Sequence, residues 1–252
     1  MQRDRKVQVS SDGVSSFVAP GSLVRAYANR KNWPLSIRNV MLEGRTDAEY
    51  FRIANGKHHA HNSRRLICDS LSLFQVGDGA SGGVDNIKDK FVYLREVLST
   101  DTSDVSDQRI MVIVLMDNDR AGRETARFLD RRGFKTHRDV FLIARKIPRE
   151  TRDAYQLNRL IVEANAAWEH IDCEVEDLLS LDLLKYFAEM EPSSLAKEPQ
   201  IVADGHHFEW TDDGKARLLN FVKREASLVD VVGIVELLKS LRFLLSLDPN
   251  GI

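Results

Sequence analysis

The sequence predicts an α/β protein: a mainly parallel sheet of four strands flanked by helices, followed by a helical C-terminal region. Three observations carry this reading. Residues 110–115 and 140–144 are unbroken apolar runs, the pattern of strands buried on both faces rather than one. The segments after residues 39–42 and 110–116 open with small, polar or glycine-containing turns and continue at helical spacing. Beyond Pro148 the apolar residues Tyr155, Leu157, Leu160, Ile161, Ala164 and Trp168 recur at helical intervals.

Taken in order, residues 1–36 read as an N-terminal extension. It has a charged start, a Ser/Gly stretch, Pro20-Gly21 and a short helix near residues 22–30. Residues 37–148 read as the core. Its first strand, residues 39–42, ends at Glu43-Gly44, and Thr46 or Asp47 caps a helix expected to run through about Ala54. His58, His59 and His61 follow in what reads as a surface loop. They lack the spacing or the cysteine partners of a zinc site. The second strand region spans residues 66–76. Its glycine-rich end, residues 77–83, leads into a helix at about residues 84–98, where backbone N–H groups suit either close packing or a phosphate. Lys88 and Lys90 are candidate phosphate contacts there. Residues 99–108 read as an acidic loop. The third strand and a helix over residues 120–132 come next, with Gly133 in the C-terminal capping position. The fourth strand, residues 140–144, runs into Arg145 and Lys146.

Residues 149–252 form the helical region expected to complete or flank the site. Helical patterns cover residues 149–169, 178–190, 214–225 and 228–247, and residues 191–213 read as a loop. Glu174 and Glu176 are expected on one face of a short strand, or else Glu176 and Asp177 start the helix over residues 178–190, favouring its dipole.

Chemistry concentrates where the strands end. Asp117 and Asp119 stand two apart just past the third strand, so extended geometry points both to one side. Open α/β sheets bind ligands beyond the carboxyl ends of their strands. Two carboxylates held that close need a cation, a shared proton or solvent between them, and a hard divalent ion takes such oxygens.

The order strand-Glu43-Gly44-x-Thr46-Asp47-helix, then strand-Asp117-x-Asp119-x-x-Gly122-helix, resembles the Toprim family over roughly residues 37–146. That domain is shared by topoisomerases, bacterial primases, small RNA maturases, recombination mediators and OLD-type nucleases. The resemblance implies a Toprim, Rossmann-like core, with Glu43, Asp117 and Asp119 as the acidic catalytic and metal-binding triad. It implies one or two Mg²⁺ (or Mn²⁺) ions and phosphoryl-transfer chemistry. Closest in style are the OLD-type nucleases, which carry further acids downstream, the place Glu174 and Glu176 hold here. The expectation is therefore a nuclease acting on DNA or RNA, an effector of phage defence, with any ATPase subunit on a separate chain. The alternative is a non-catalytic nucleic-acid-binding or assembly module, as in recombination mediators.

Bulk properties limit this reading. The formal net charge is −2, so nucleic-acid binding requires a local patch rather than a basic protein. Arg120, Arg123, Arg127 and Arg131 share one face of the helix after Asp119, either an ordinary solvated face or the best candidate for that patch. Lys88 and Lys146 are weaker candidates. Cys68 and Cys173 make no disulfide framework, which fits a cytoplasmic protein. The polar start is no secretory signal, and no run is long and apolar enough to span a membrane.

Overall fold

The structure is a computed structural model that describes residues 23–76, 84–100 and 110–252. Strands β1 (Arg38–Leu42), β2 (Leu71–Gln75), β3 (Met111–Met116) and β4 (Val140–Leu142) form one sheet in the order β2-β1-β3-β4. Every pairing is parallel, with Leu42 opposite both Gln75 and Leu115, and Met116 opposite Leu142. The fold is thus α/β with an all-parallel sheet, as the unbroken apolar runs predict.

Alternation along each strand divides the core into two layers. Val40, Leu42, Ile113, Leu115 and Phe141 point to one face, and Met41, Val112, Val114, Met116 and Val140 to the other. The second face is covered by α1 (Leu23–Arg30), α3 (Val84–Thr100) and α4 (Arg120–Arg131), through Val24, Phe91, Leu94, Ala126 and Leu129. The first face is covered by α2 (Arg45–Asn62) and by the C-terminal region: α5 (Ala154–Asn165), α6 (Leu181–Met190), α7 (Asp212–Glu225) and α8 (Val232–Leu244). The C-terminal helices therefore share one apolar cluster with the sheet. Arg242, 1% exposed, ties α8 to the chain entering β2 by donating to the Leu66 carbonyl, and it also donates to the Asp248 carbonyl beyond α8.

Several boundaries differ from the sequence reading. The histidines are not in a loop: α2 runs on to Asn62, and His58 is buried with Nδ1 3.0 Å from the Arg64 carbonyl. Packing on α7 and α8 overrides the break expected near Ala54. Strand β4 stops at Leu142. The helical stretch after Pro148 begins only at Ala154, where Asp153 caps it by accepting from Gln156 N at 2.9 Å, and it ends in a short 3₁₀ segment through Trp168. The expected loop over residues 191–213 contains a hairpin of β5 (Gln200–Val202) and β6 (Gly205–His207). No described helix is long and apolar enough to cross a membrane. The glycine-rich turn at residues 77–83 and most of the acidic loop lie outside the described residues.

Candidate active site

Two neighbouring strand ends and a turn of the C-terminal region build the site. Parallel register sets Glu43, the residue after β1, beside the end of β3, where Asp117 begins the turn into α4. That turn is tight. A Cβ at Gly122 would stand 2.0 Å from the Asp117 carbonyl oxygen, so only glycine lets α4 start this close beneath Asp117. Asp119 is the α4 cap, accepting from Gly122 N at 2.7 Å. Asp47, in the first turn of α2, likewise accepts from Gly44 N at 3.0 Å.

The third contribution comes from the C-terminal region. An isolated antiparallel bridge pairs Asn118 with Cys173, N–H to carbonyl at 2.9 and 3.2 Å. Arg123 reinforces it, donating to the Asn118 carbonyl at 2.7 Å and to Asp172 Oδ1 at 2.9 Å. Arg145 holds the Asp172 and His206 carbonyls. This bridge carries Glu174 and Glu176 to the acids of the sheet. Of the two local shapes the sequence allows, the strand is not formed, and Glu176 and Asp177 lie in a helical turn. Glu174 caps a 3₁₀ turn, Val175–Leu178, because Asp177 accepts from the Glu174 N–H at 2.8 Å and pulls the chain into a turn. Glu176, within that turn, is buried.

One cation enters this group. Lys215 sits in the first turn of α7, which Thr211 caps, and its Nζ is 2.6 Å from Glu174 Oε2. A Cβ at Gly214 would stand 2.2 Å from the Ser194 carbonyl oxygen, so glycine there seats α7 against that backbone. Beside it, Asp177 receives His207 Nδ1 at 2.8 Å and Phe208 N at 3.1 Å, which fixes the imidazole at the margin of the acids.

Electrostatics shows that these side chains sense one another. Burial pushes the Glu43 carboxyl up to about 7, helped by Asp47, Asp119 and Glu174 and opposed by Lys215. Burial raises Asp47 to about 6 against the Gly44 hydrogen bond and Lys215, and Glu174 adds to the rise. Glu176 is raised to about 8 by burial, with Lys215 opposing and Glu174 and Asp47 adding. Asp117 is raised well above the carboxylate range by burial, then by Asp47, Glu176, Glu174 and Glu43. Lys215 is held above its usual range: burial pulls it down, and Glu176 and Glu174 outweigh that. Beneath the cluster, burial raises the Tyr50 phenol, with Glu176 next in effect.

The donor set is all carboxylate oxygen, the chemistry of a hard divalent cation. Asp117 Oδ1 and the Tyr50 hydroxyl are sealed from solvent with no hydrogen-bond partner among the described residues. A buried carboxylate oxygen left without a partner is costly and suits a cation ligand. Among the described residues, however, no three His, Cys, Asp or Glu side chains are gathered tightly enough to hold an ion as they stand. The acids therefore fit a cation by chemistry and by charge, and side-chain rotation would be needed to close around one.

Of the other residues singled out in sequence, Arg120 is exposed and pairs with Glu124 at 3.0 Å. Lys88 lies over the Phe128 ring at 5.0 Å, and Lys90 donates to the Val76 carbonyl. Lys146 lies over Trp168 at 4.7 Å. The sequence reading missed Lys215 and the Asp177–His207 pair, and took Asp47 only as a cap. The four-residue spacing of Glu43 and Asp47 across a helix start was the available signal for Asp47. Nothing local marked Lys215, which arrives through tertiary packing. Comparisons with family models, with curated proteins and with solved structures gave no match to this chain.

Proposed function

We propose that this chain is a divalent-cation-dependent phosphodiesterase acting on nucleic acid, a nuclease of Toprim type. The observation that carries the reading is Asp117 Oδ1, buried and unpartnered where Glu43, Asp47, Glu174 and Glu176 all raise the charge density. A bound Mg²⁺ or Mn²⁺ would polarise the phosphate and ready a water nucleophile. Asp117 and Glu43 would be its first ligands, with Asp47, Asp119, Glu174 and Glu176 available for a second ion. Glu43 would serve either as that ligand or, unbound, as the group that takes a proton from the attacking water. Lys215 would balance charge that develops on the phosphate oxygens.

The test is incubation of the protein with supercoiled plasmid, single-stranded DNA and structured RNA, each with Mg²⁺, Mn²⁺ or EDTA. Glu43→Ala and Asp117→Ala are assayed alongside. Cation-dependent cutting that both substitutions abolish supports the proposal. The Toprim resemblance adds a separate ATPase chain and a role in phage defence; stimulation of cutting by such a partner would support that part.

A second reading, a non-catalytic assembly module, is favoured by one observation. Lys215 already serves as a fixed countercharge for Glu174, which leaves the acids partly satisfied without an ion. Retained nucleic-acid binding without cutting under any cation would select it.

A further inference from the structure

A groove of about 520 Å³ runs along α4 on the side of the edge strand β4. Arg123, Arg127 and Arg131 line it, above a floor that includes Ala126 and Leu142. The three arginines stand at i, i+4 and i+8, so they rise along the helix in steps of about 6 Å. Arg123, at the upper end, is the residue that grips the Asn118 carbonyl between Asp117 and Asp119. The upper end of the groove therefore lies beside the Asn118 turn, and the groove leads away from the end of α4 that Asp119 caps. Arg127 and Arg131 make no ion pair among the described residues, whereas the groove's acid, Asp130, is turned to Lys135 at 3.3 Å. Arg120, which the sequence places on the same face, does not line the groove.

We propose that this groove holds single-stranded polynucleotide, DNA or RNA, on one side of the phosphate presented to the acidic site. The proposal rests on the phosphodiesterase reading and names its substrate class. The groove is open to solvent and has room for one or two nucleotides of a single strand along the arginines, whereas a duplex could touch it only with one backbone. Guanidinium groups match phosphate oxygens in a bidentate fork and stack on bases. The apolar floor gives a sugar or base edge a surface that water covers poorly. Phosphate contacts carry no sequence information, so binding through them is expected to be independent of sequence.

The test is fluorescence anisotropy with labelled oligo-dT, oligo-U and a blunt DNA duplex, in EDTA and in Ca²⁺, over a salt series. Wild type is compared with Arg127→Glu/Arg131→Glu and with Lys223→Glu/Arg224→Glu, which reverses two exposed charges at the far end of α7. The proposal expects both single strands to bind more tightly than the duplex. The groove variant should bind at least tenfold more weakly, with a salt slope shallower by about 1.4 for two lost phosphate contacts on a single strand. The α7 variant should match wild type. Oligo-dT and oligo-U binding equally assigns the groove to either polymer, and a preference names which. Unchanged affinity and slope in the groove variant, duplex preference, or no binding by wild type would each overturn the groove. Groove-dependent binding with no cleavage under any cation would instead overturn the phosphodiesterase reading and leave the groove standing.

Discussion

Lys215 Nζ lies 2.6 Å from Glu174 Oε2, and its positive charge is felt by Glu43, Asp47 and Glu176 as well. One lysine thus holds together acids drawn from α2, from the end of β1 and from the turn that follows the Asn118–Cys173 bridge. Lys215→Met keeps the stem and removes the charge. The cation-free variant should lose about 1–3 kcal/mol of stability in urea unfolding, between the ranges for exposed and for buried pairs. Mn²⁺ should then raise its melting temperature more than that of wild type. Equal stability in the two proteins would show that the lysine is not the countercharge.

Gly122 and Gly56 make a matched pair. Gly122→Ala drives a methyl group into the Asp117 carbonyl, and should cost about 1–3 kcal/mol or more by overpacking. It should also abolish any cation-dependent thermal shift, because Asp117 moves. Gly56→Ala, inside α2 with open space around it, should stabilise by about 0.5–1 kcal/mol. Chemical denaturation of both variants checks the contrast; similar effects at the two positions would refute it.

The same contrast shows what the sequence made legible. The strands were readable because β1 and β3 are buried on both faces, and that leaves an unbroken apolar run. Glu43, Asp117 and Asp119 were readable because each lies immediately beyond such a run, at the carboxyl end of a parallel sheet. Gly133, at φ +90° just past the Arg132 cap of α4, was readable as a left-handed stop. Glu174 and Glu176 were found, but strand and helix start could not be told apart, because the Asp177 contact that turns the chain is a side-chain bond with no periodicity. Lys215 was invisible for a different reason. It joins residues 41 positions apart through the docking of α7, and an amphipathic helix does not announce what its first turn touches. The histidine segment shows the same effect, since α2 is extended by packing rather than by its own residues.

His137 sets an acid-side limit on stability. It sits at φ +62° in the turn before β4, 8% exposed, with Nδ1 buried and unpartnered among the described residues. Burial holds its pKa down to about 4, against a contact with Asn158. The unfolded chain, with an ordinary histidine near 6.5, binds more protons between those values. Its contribution is therefore intact above about pH 6.5 and lost as pH falls toward 4, by up to about 3 kcal/mol. Glu43, Asp47 and Glu176 act with the opposite sign, since raised carboxyl values favour the folded state at low pH. Comparing wild type with His137→Asn, which tolerates the left-handed backbone, removes that background. The difference in unfolding free energy should change across pH 4 to 6.5 and be flat above it; a difference that does not vary with pH would contradict the assignment.

The central claim is that the acids around Asp117 hold a hard divalent cation, and Mn²⁺ binding followed by electron paramagnetic resonance tests it without reference to substrate. Titrating the metal-free protein with Mn²⁺ should remove the signal of the free aqueous ion for one or two equivalents. Asp117→Asn, which keeps the shape and removes the charge, should weaken that binding by about tenfold or more. A free-ion signal equal to that in buffer throughout the titration, or equal binding by the two proteins, would contradict the account.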